Sequence, residues 1–308
     1  MRRIYCCMVL LVVMLLAVAV PVSGGSVEDK VDSLFVIASS GELKYRDMVQ
    51  PAIDSLSAMG APAVPRLIEK LSSKSARELH TITKILENIG RDAVPGLLDA
   101  LTLDNPEELS RVCYTLGQIK DSSAVDGLMK TVNHDDWRVR SGAIGALGKI
   151  GDTRANAAVM RGLTDTVETV RKSAAVATGR LKNVEAIPAL VHILGDSFYG
   201  ARMTASEALV MFGAEAVEII ADSLRSENEL VGNLGCTTLG KIGGDDAGVV
   251  ITGQLLSPSP VRRAVAVDAV RLSNSSQACG EVEVLKQTET DPTVLFFIEQ
   301  VLNKYASR

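Results

Sequence analysis

Apolar residues recur along this chain on one helical face. Counting from Arg140 as position zero, positions 3, 7 and 10 hold Ala143, Leu147 and Ile150, and Gly151 follows at position 11. That spacing puts three side chains on one stripe of an α-helix. Glycine just past the stripe is where a left-handed helix stop forms. The pattern repeats from Arg171 (Ala174, Thr178, Leu181), Arg202 (Ala205, Leu209, Phe212, Gly213), Gly232 (Gly235, Leu239, Ile242, Gly243) and Arg262 (Val265, Ala269, Leu272). Upstream it starts from Leu109 (Val112, Leu116, Ile119), Leu79 (Ile82, Leu86, Ile89, Gly90) and Val49 (Ala52, Leu56, Met59, Gly60). Every step is 30 or 31 residues, and a divergent copy fits around Pro292 with Leu295 and Leu302.

A second helix lies between successive copies. Ala63-Val-Pro-Arg-Leu67, Ala93-Val-Pro-Gly-Leu97 and Ala186-Ile-Pro-Ala-Leu190 share one pattern, with proline where the first helical turn needs no N–H donor. Stretches 124–132, 155–163, 216–224 and 247–256 are the equivalents without proline. Each unit is therefore a pair of helices too short to bury its apolar face alone, and stacking shares one continuous core. Gly117, Gly148, Gly179 and Gly240 all sit at position 8, inside the longer helix. Glycine there lowers helix propensity by about 1 kcal/mol against alanine, so a close neighbouring backbone is the expected reason. Helix starts are predicted at capping boxes: Ser75 with Glu78, Asn105 with Glu108, Asp165 with Glu168 and Ser226 with Glu229. The fold class predicted is all-α: an α-solenoid of about nine helix-turn-helix repeats over residues 47–308. Residues 25–46 cap one end, and a helix over 291–305 closes the other.

Val139-Arg140-Ser-Gly-Ala-Ile-Gly-Ala-Leu-Gly-Lys-Ile-Gly-Asp152 closely resembles the short HEAT repeat of the phycobilin-lyase type, and Val170-Arg171 and Val261-Arg262 repeat its Val-Arg signature. The resemblance covers about residues 45 to 305 and is specific for fold rather than function. Repeats of this kind occur in bilin lyases, in deoxyhypusine hydroxylase and in many binding scaffolds. The resemblance implies a curved body that meets partners on its concave face, the side of the longer helices.

Residues 1–24 change the picture of where the chain works. Met-Arg-Arg, an apolar run from Ile4 to Val20 and small residues at Val22 and Gly24 are the parts of a secretory signal. The competing reading is an uncleaved anchor, and either one exports the remainder. Cleavage after Gly24 leaves 30 basic against 37 acidic residues, a net charge of −7. An acidic chain of this kind is no bulk nucleic-acid binder. Cys113, Cys236 and Cys279 form no disulfide or metal spacing and read as small buried apolar residues. Asn274-Ser-Ser276 matches a glycosylation acceptor.

Candidate chemistry is sparse. His80, His134 and His192 are scattered, and none is followed by glutamate, as the di-iron pairs of hydroxylase-like relatives require. No cofactor or metal site is predicted, and His134-Asp135-Asp136 reads as a helix cap. Arg140, Arg171, Arg202 and Arg262 form a column. It is either a basic ridge for an anionic partner or, more simply, an internal ladder held by acids such as Asp121, Asp152, Asp165 and Asp196 or by helix C-terminal carbonyls of neighbouring repeats. Position 9 lies off the apolar stripe and holds Lys149, Arg180, Lys241 and Arg271. That row is either a basic binding face or simply a solubilising face whose cations also favour helix C-termini. Trp137 and Tyr199 occupy equivalent places three residues before position zero, where an aromatic anchors a partner or packs a turn. The reading is an exported, non-catalytic scaffold that binds a protein partner, one with an acidic surface if the basic row is the contact. Binding residues are Lys149, Arg180, Lys241, Arg271, Trp137 and Tyr199. The alternatives are a lyase- or hydroxylase-like enzyme and a self-assembling protein of the cell envelope.

Overall fold

The computed structural model describes residues 25–226 and 228–306. The leader expected over residues 1–24 lies outside them. The chain divides into two compact units, one ending at Ala93 and one beginning at Val94.

The first unit contains α1 (Val27–Ala38), α2 (Val49–Ala58), α3 (Val64–Glu69) and α4 (Ala76–Ile89). Ser26 starts α1 through a reciprocal capping box with Asp29, and Val31 and Phe35 of its stripe are buried. Asp32 ties α1 to α3, accepting from Arg66 at 2.7 and 3.0 Å and meeting Lys70 at 2.6 Å. These hydrogen bonds hold its carboxyl far below the ordinary carboxylate range.

The second unit alternates short and long helices. The short ones are α5 (Val94–Asp99), α7 (Val125–Thr131), α9 (Asn156–Arg161), α11 (Ile187–Ile193), α13 (Val217–Ser223), α15 (Gly244–Thr252) and α17 (Ser276–Lys286). The long ones are α6 (Pro106–Ile119), α8 (Trp137–Ile150), α10 (Glu168–Leu181), α12 (Tyr199–Phe212), α14 (Glu229–Ile242), α16 (Pro260–Ser273) and α18 (Pro292–Ala306). Each long helix stacks on the next long one, and the short helices pack beside them. This is an all-α solenoid, and Val112, Leu116, Ala143, Leu147, Ala174, Ala205, Leu209 and Leu239 of the stripe are buried between its layers.

Two features set the spacing of the long helices. The first is position 8. A Cβ built on Gly117 would lie 2.7 Å from the Ala146 Cα, on Gly148 2.6 Å from the Ala177 Cα, and on Gly240 2.8 Å from the Ala269 Cα. Each glycine thus meets an alanine of the next long helix at backbone distance. The second is position 11, which is left-handed throughout. Gly151 has φ 80°, and where glycine is missing, Lys120, Lys182 and Asn274 adopt φ 59°, 55° and 58°.

Both features correct the register of one repeat. The helix stop at Asn274 and the alanine at 269 require position zero to be Arg263, not Arg262. The stripe of α16 is accordingly Ala266, Val270 and Ser273, all buried, whereas Val265 and Leu272 are only partly covered. Two predicted caps also move. α10 begins at Glu168, so Asp165 caps no helix and instead accepts from the Val167 N–H at 2.9 Å. α14 is capped by Asn228, which accepts from the Leu230 N–H at 3.0 Å, and Ser226 serves the turn before it. Asp136 caps α8, and Asp291 caps α18 through the Thr293 and Val294 N–H groups.

Candidate binding cleft

The arginine column is the frame of the site. Arg140 donates Nη1 to the carbonyls of His134 and Asp135, and Nε and Nη2 to the two carboxylate oxygens of Asp165 at 2.7 and 2.9 Å. Arg171 repeats this with the carbonyls of Asp165 and Thr166 and with Asp196 at 2.6 and 2.9 Å. Arg202 donates Nη1 to the Asp196 and Ser197 carbonyls. The residue at the acid's offset from Arg202 is Glu227, which lies outside the described residues. Arg263 completes the column through the carbonyls of Ser257 and Pro258 and through Glu289 at 2.6 and 2.9 Å. Arg262, one residue earlier, reaches the Leu224 carbonyl at 2.8 Å instead. Bidentate arginine–carboxylate pairs are strong because two charge-assisted bonds share one plane. Here they bolt each inter-helix loop to the long helix. The arginine hydrogen bonds lower the carboxyls of Asp165 and Asp196, and they bring that of Glu289 down to about 2. The column's donors are directed inward, at loops and acids.

The position 9 row divides. Arg180 and Lys241 are exposed. Arg271 stands at position 8 in the corrected register, and Asp268 holds it at 2.7 Å; Leu272 takes position 9 there. Lys149 is the distinctive member. Its Nζ lies 4.0 Å from the centre of the Tyr114 ring and donates to Gln118 Oε1 at 3.2 Å, while Gln118 Nε2 donates to the Tyr114 hydroxyl at 2.7 Å. Burial pushes the Lys149 ammonium below its ordinary value, and the nearby charges of Arg180 and Lys120 push it further the same way. Among the described residues, none of these three cations forms an ion pair.

Lys149 closes one end of a cleft between α6 and α8 with a volume of about 310 Å³. Along α8 the cleft follows Trp137, Ser141, Gly145 and Lys149, which are four residues apart and so lie on one face. Tyr114 of α6 forms the opposite wall. The floor is Ala146, brought up against α6 by the Gly117 contact, and Ser110 Oγ donates to the Arg138 carbonyl near the other end. Trp137 and Tyr114 are 40% and 48% exposed, large for aromatic side chains on a face of small residues. Arg138 leans over the Trp137 ring at 5.8 Å and is held by Asp136 at 2.6 Å.

Of the six residues named from the sequence, Trp137 and Lys149 line this cleft. Tyr199 is the first residue of α12 and is exposed, with Arg202 5.5 Å from its ring centre. Neither it nor Arg180, Lys241 or Arg271 is among the cleft's lining residues. Tyr114 escaped notice because it stands off the apolar stripe at position 5. A large aromatic at such a position, in a chain with only 4% aromatic residues, was the available signal. Cys113 and Cys236 are buried free thiols, and burial raises both to about 12.

Stacked pairs of one short and one long helix, locked by a column of arginines, define a HEAT-type α-solenoid. HEAT repeats are indeed found in the chain: their family model matches residues 94–178 and 127–210. Among solved structures, the Escherichia coli protein YibA aligns at 16% identity over 85% of this chain and 97% of that one, with a TM-score of 0.50. Human deoxyhypusine hydroxylase in complex with glycerol aligns at 19% identity over 82% and 99%, with a TM-score of 0.37. The complex of CpcE and CpcF of phycocyanin lyase from Nostoc sp. PCC7120 aligns at 22% over 47% and 97%, with a TM-score of 0.44. At such identities the likeness is one of fold. A search of the curated proteins finds no match.

Proposed function

We propose that this chain is an exported, non-catalytic scaffold that holds a partner protein against the face of its long helices. The observation that carries the reading is the α6–α8 cleft, where two exposed aromatic side chains and an ammonium group with no carboxylate partner line a floor of small residues. Protein interfaces concentrate binding energy in such aromatic anchors, and a cation without a carboxylate has electrostatic energy to gain from an acidic partner. The arginine column supports the reading indirectly, because its side chains are committed to rigidity and preorganise the face. Export is supported by the charged, apolar and small-residue segments of residues 1–24.

Photocrosslinking from within its native host tests this. A photoreactive phenylalanine in place of Tyr114 should trap one discrete protein, and the yield should fall when Lys149→Glu is added. The same probe at Leu256, an exposed position away from the cleft, should not trap it. Equal trapping from both positions would refute the assignment, and stoichiometric iron in the purified protein would overturn the non-catalytic reading. Self-association across a concentration series in light scattering would favour an assembling envelope protein instead. The N-terminal sequence of the protein recovered from the host should begin at Gly25.

A further inference from the structure

We infer that the α6–α8 cleft binds an extended, acidic segment of the partner protein, seating a carboxylate at Lys149, beside Tyr114, and a large apolar side chain against Trp137. This rests on the scaffold reading above and gives it a ligand chemistry.

Length comes first. From Trp137 to Lys149 the helix rises about 1.5 Å per residue, so the row is roughly 18 Å long. An extended chain rises about 3.3 Å per residue, which makes the row about five residues long. A helix lying in the cleft would need a wide trough, whereas about 310 Å³ suits a single strand of chain with one or two side chains. Shape comes second. At Gly145, one turn before Lys149, an added Cβ would meet nothing within 4 Å, so this stretch of the trough is open to a ligand's backbone. Ser110 and Ser141 also line the cleft, with their hydroxyls bonded to the Arg138 carbonyl and to Ser173 Oγ.

Charge decides the chemistry of the end groups. Lys149, Arg180 and Lys120 form a like-charged group whose mutual repulsion an anion relieves. Lys149 is already partly withdrawn from water, so the charge-assisted bond to a carboxylate gains more there than on an open surface. At the opposite end Trp137 presents ring surface that an apolar side chain would cover, whereas the Tyr114 ring lies beside Lys149, 4.0 Å from its Nζ. The acid and the apolar residue of the ligand are therefore four to five positions apart.

Trp137 is the sole tryptophan in the sequence, so its emission reports on the cleft directly. The purified full chain is titrated, up to millimolar concentration, with capped hexapeptides Glu-Ser-Ser-Ser-Ser-Leu and its reverse. Controls carry Gln for Glu, or Ser for Leu. One of the two orientations should shift Trp137 emission to the blue and saturate. The Gln control should bind about tenfold more weakly, equivalent to about 1.4 kcal/mol. In the Lys149→Gln variant the Glu and Gln peptides should become indistinguishable while far-UV circular dichroism stays unchanged. Gly145→Leu, whose side chain would occupy the open trough, should abolish the shift without lowering the melting temperature. Equal binding of the Glu and Gln peptides to the unmodified chain, persistence of their difference in Lys149→Gln, or no shift with any peptide would overturn the inference. If photocrosslinking from position 114 still trapped a partner after any of those results, the scaffold reading would stand and only this ligand chemistry would fall.

Discussion

Gly148→Ala and Gly145→Ala are the same chemical change three residues apart on one helix, and the structure predicts opposite outcomes. In both, alanine for glycine within a helix raises intrinsic propensity by about 1 kcal/mol. At Gly145 the new methyl meets nothing within 4 Å, so that gain is realised in full. At Gly148 the new Cβ lies 2.6 Å from the Ala177 Cα and 2.5 Å from its Cβ. Carbon atoms pack best at about 3.5–4.0 Å, so α8 and α10 must part by roughly 1 Å. The obstacle is a backbone atom, so no side-chain rotation relieves it. Overpacking of this kind costs about 1–3 kcal/mol, and the obstacle's rigidity argues for the upper half of that range. Gly148→Ala should then be net destabilising by roughly 1–2 kcal/mol, a fall of about 2–8 °C in melting temperature. Gly145→Ala should be more stable than the parent by up to about 1 kcal/mol. Urea unfolding followed by circular dichroism gives both numbers. Adding Ala177→Gly to Gly148→Ala should recover part of the loss, since the clash is pairwise. A Gly148→Ala protein as stable as Gly145→Ala would refute the idea that position 8 is glycine because of its neighbour.

Other outcomes follow from single residues. Thr178 sits at position 7, where other repeats place leucine or, in α16, valine, and its buried Oγ1 has no hydrogen-bond partner; Thr178→Val should raise stability by roughly 1 kcal/mol in the same urea assay. Lys120 holds a left-handed conformation at φ 59°, so Lys120→Gly should stabilise by about 1 kcal/mol, while the same change at helical Lys130 should not. Asp165, Asp196 and Glu289 have carboxyls lowered in the fold by their arginines, so the unfolded chain binds protons first on acidification. Their contribution is complete above about pH 4.5 and is lost as pH falls toward 2; melting temperature should drop across that window, less steeply in Glu289→Gln than in the parent. Cys113 and Cys236, buried and raised to about 12, should resist iodoacetamide at pH 8 in the folded protein and react fully in urea.

The repeat was legible in the sequence because helical amphipathicity is a local property. A stripe at positions 3, 7 and 10 with a stop at 11 needs only the order of residues in one segment. The column of arginines and the glycines at position 8 were legible for the same reason, since each recurs once per repeat. The break between Ala93 and Val94 was not, because the periodicity runs through it unchanged. The register around Arg262 and Arg263 was ambiguous for a related reason. Ala264, Val265, Ala266, Val267, Ala269 and Val270 offer two stripes one residue apart, and nothing within the segment chooses between them. Glu289 and Gly240 choose, and both belong to neighbouring turns of the solenoid.

The cleft shows the same division. Trp137 and Lys149 stood out individually, one as an aromatic in the place that Tyr199 holds two repeats on and the other as a cation off the apolar stripe. That they lie at two ends of one trough follows from helical geometry once their shared face matters. That Tyr114 forms its wall, and that Arg271 belongs to Asp268, depends on how helices pack side by side. The helices and the repeat that stacks them were written in local order, because amphipathic spacing depends on residues a few positions apart. Which helix faces make a cleft, and which cations lack a carboxylate, emerged from the packing of one repeat on the next. Those depend on distances between repeats, set where a glycine meets an alanine and where an arginine reaches the acid of the next loop.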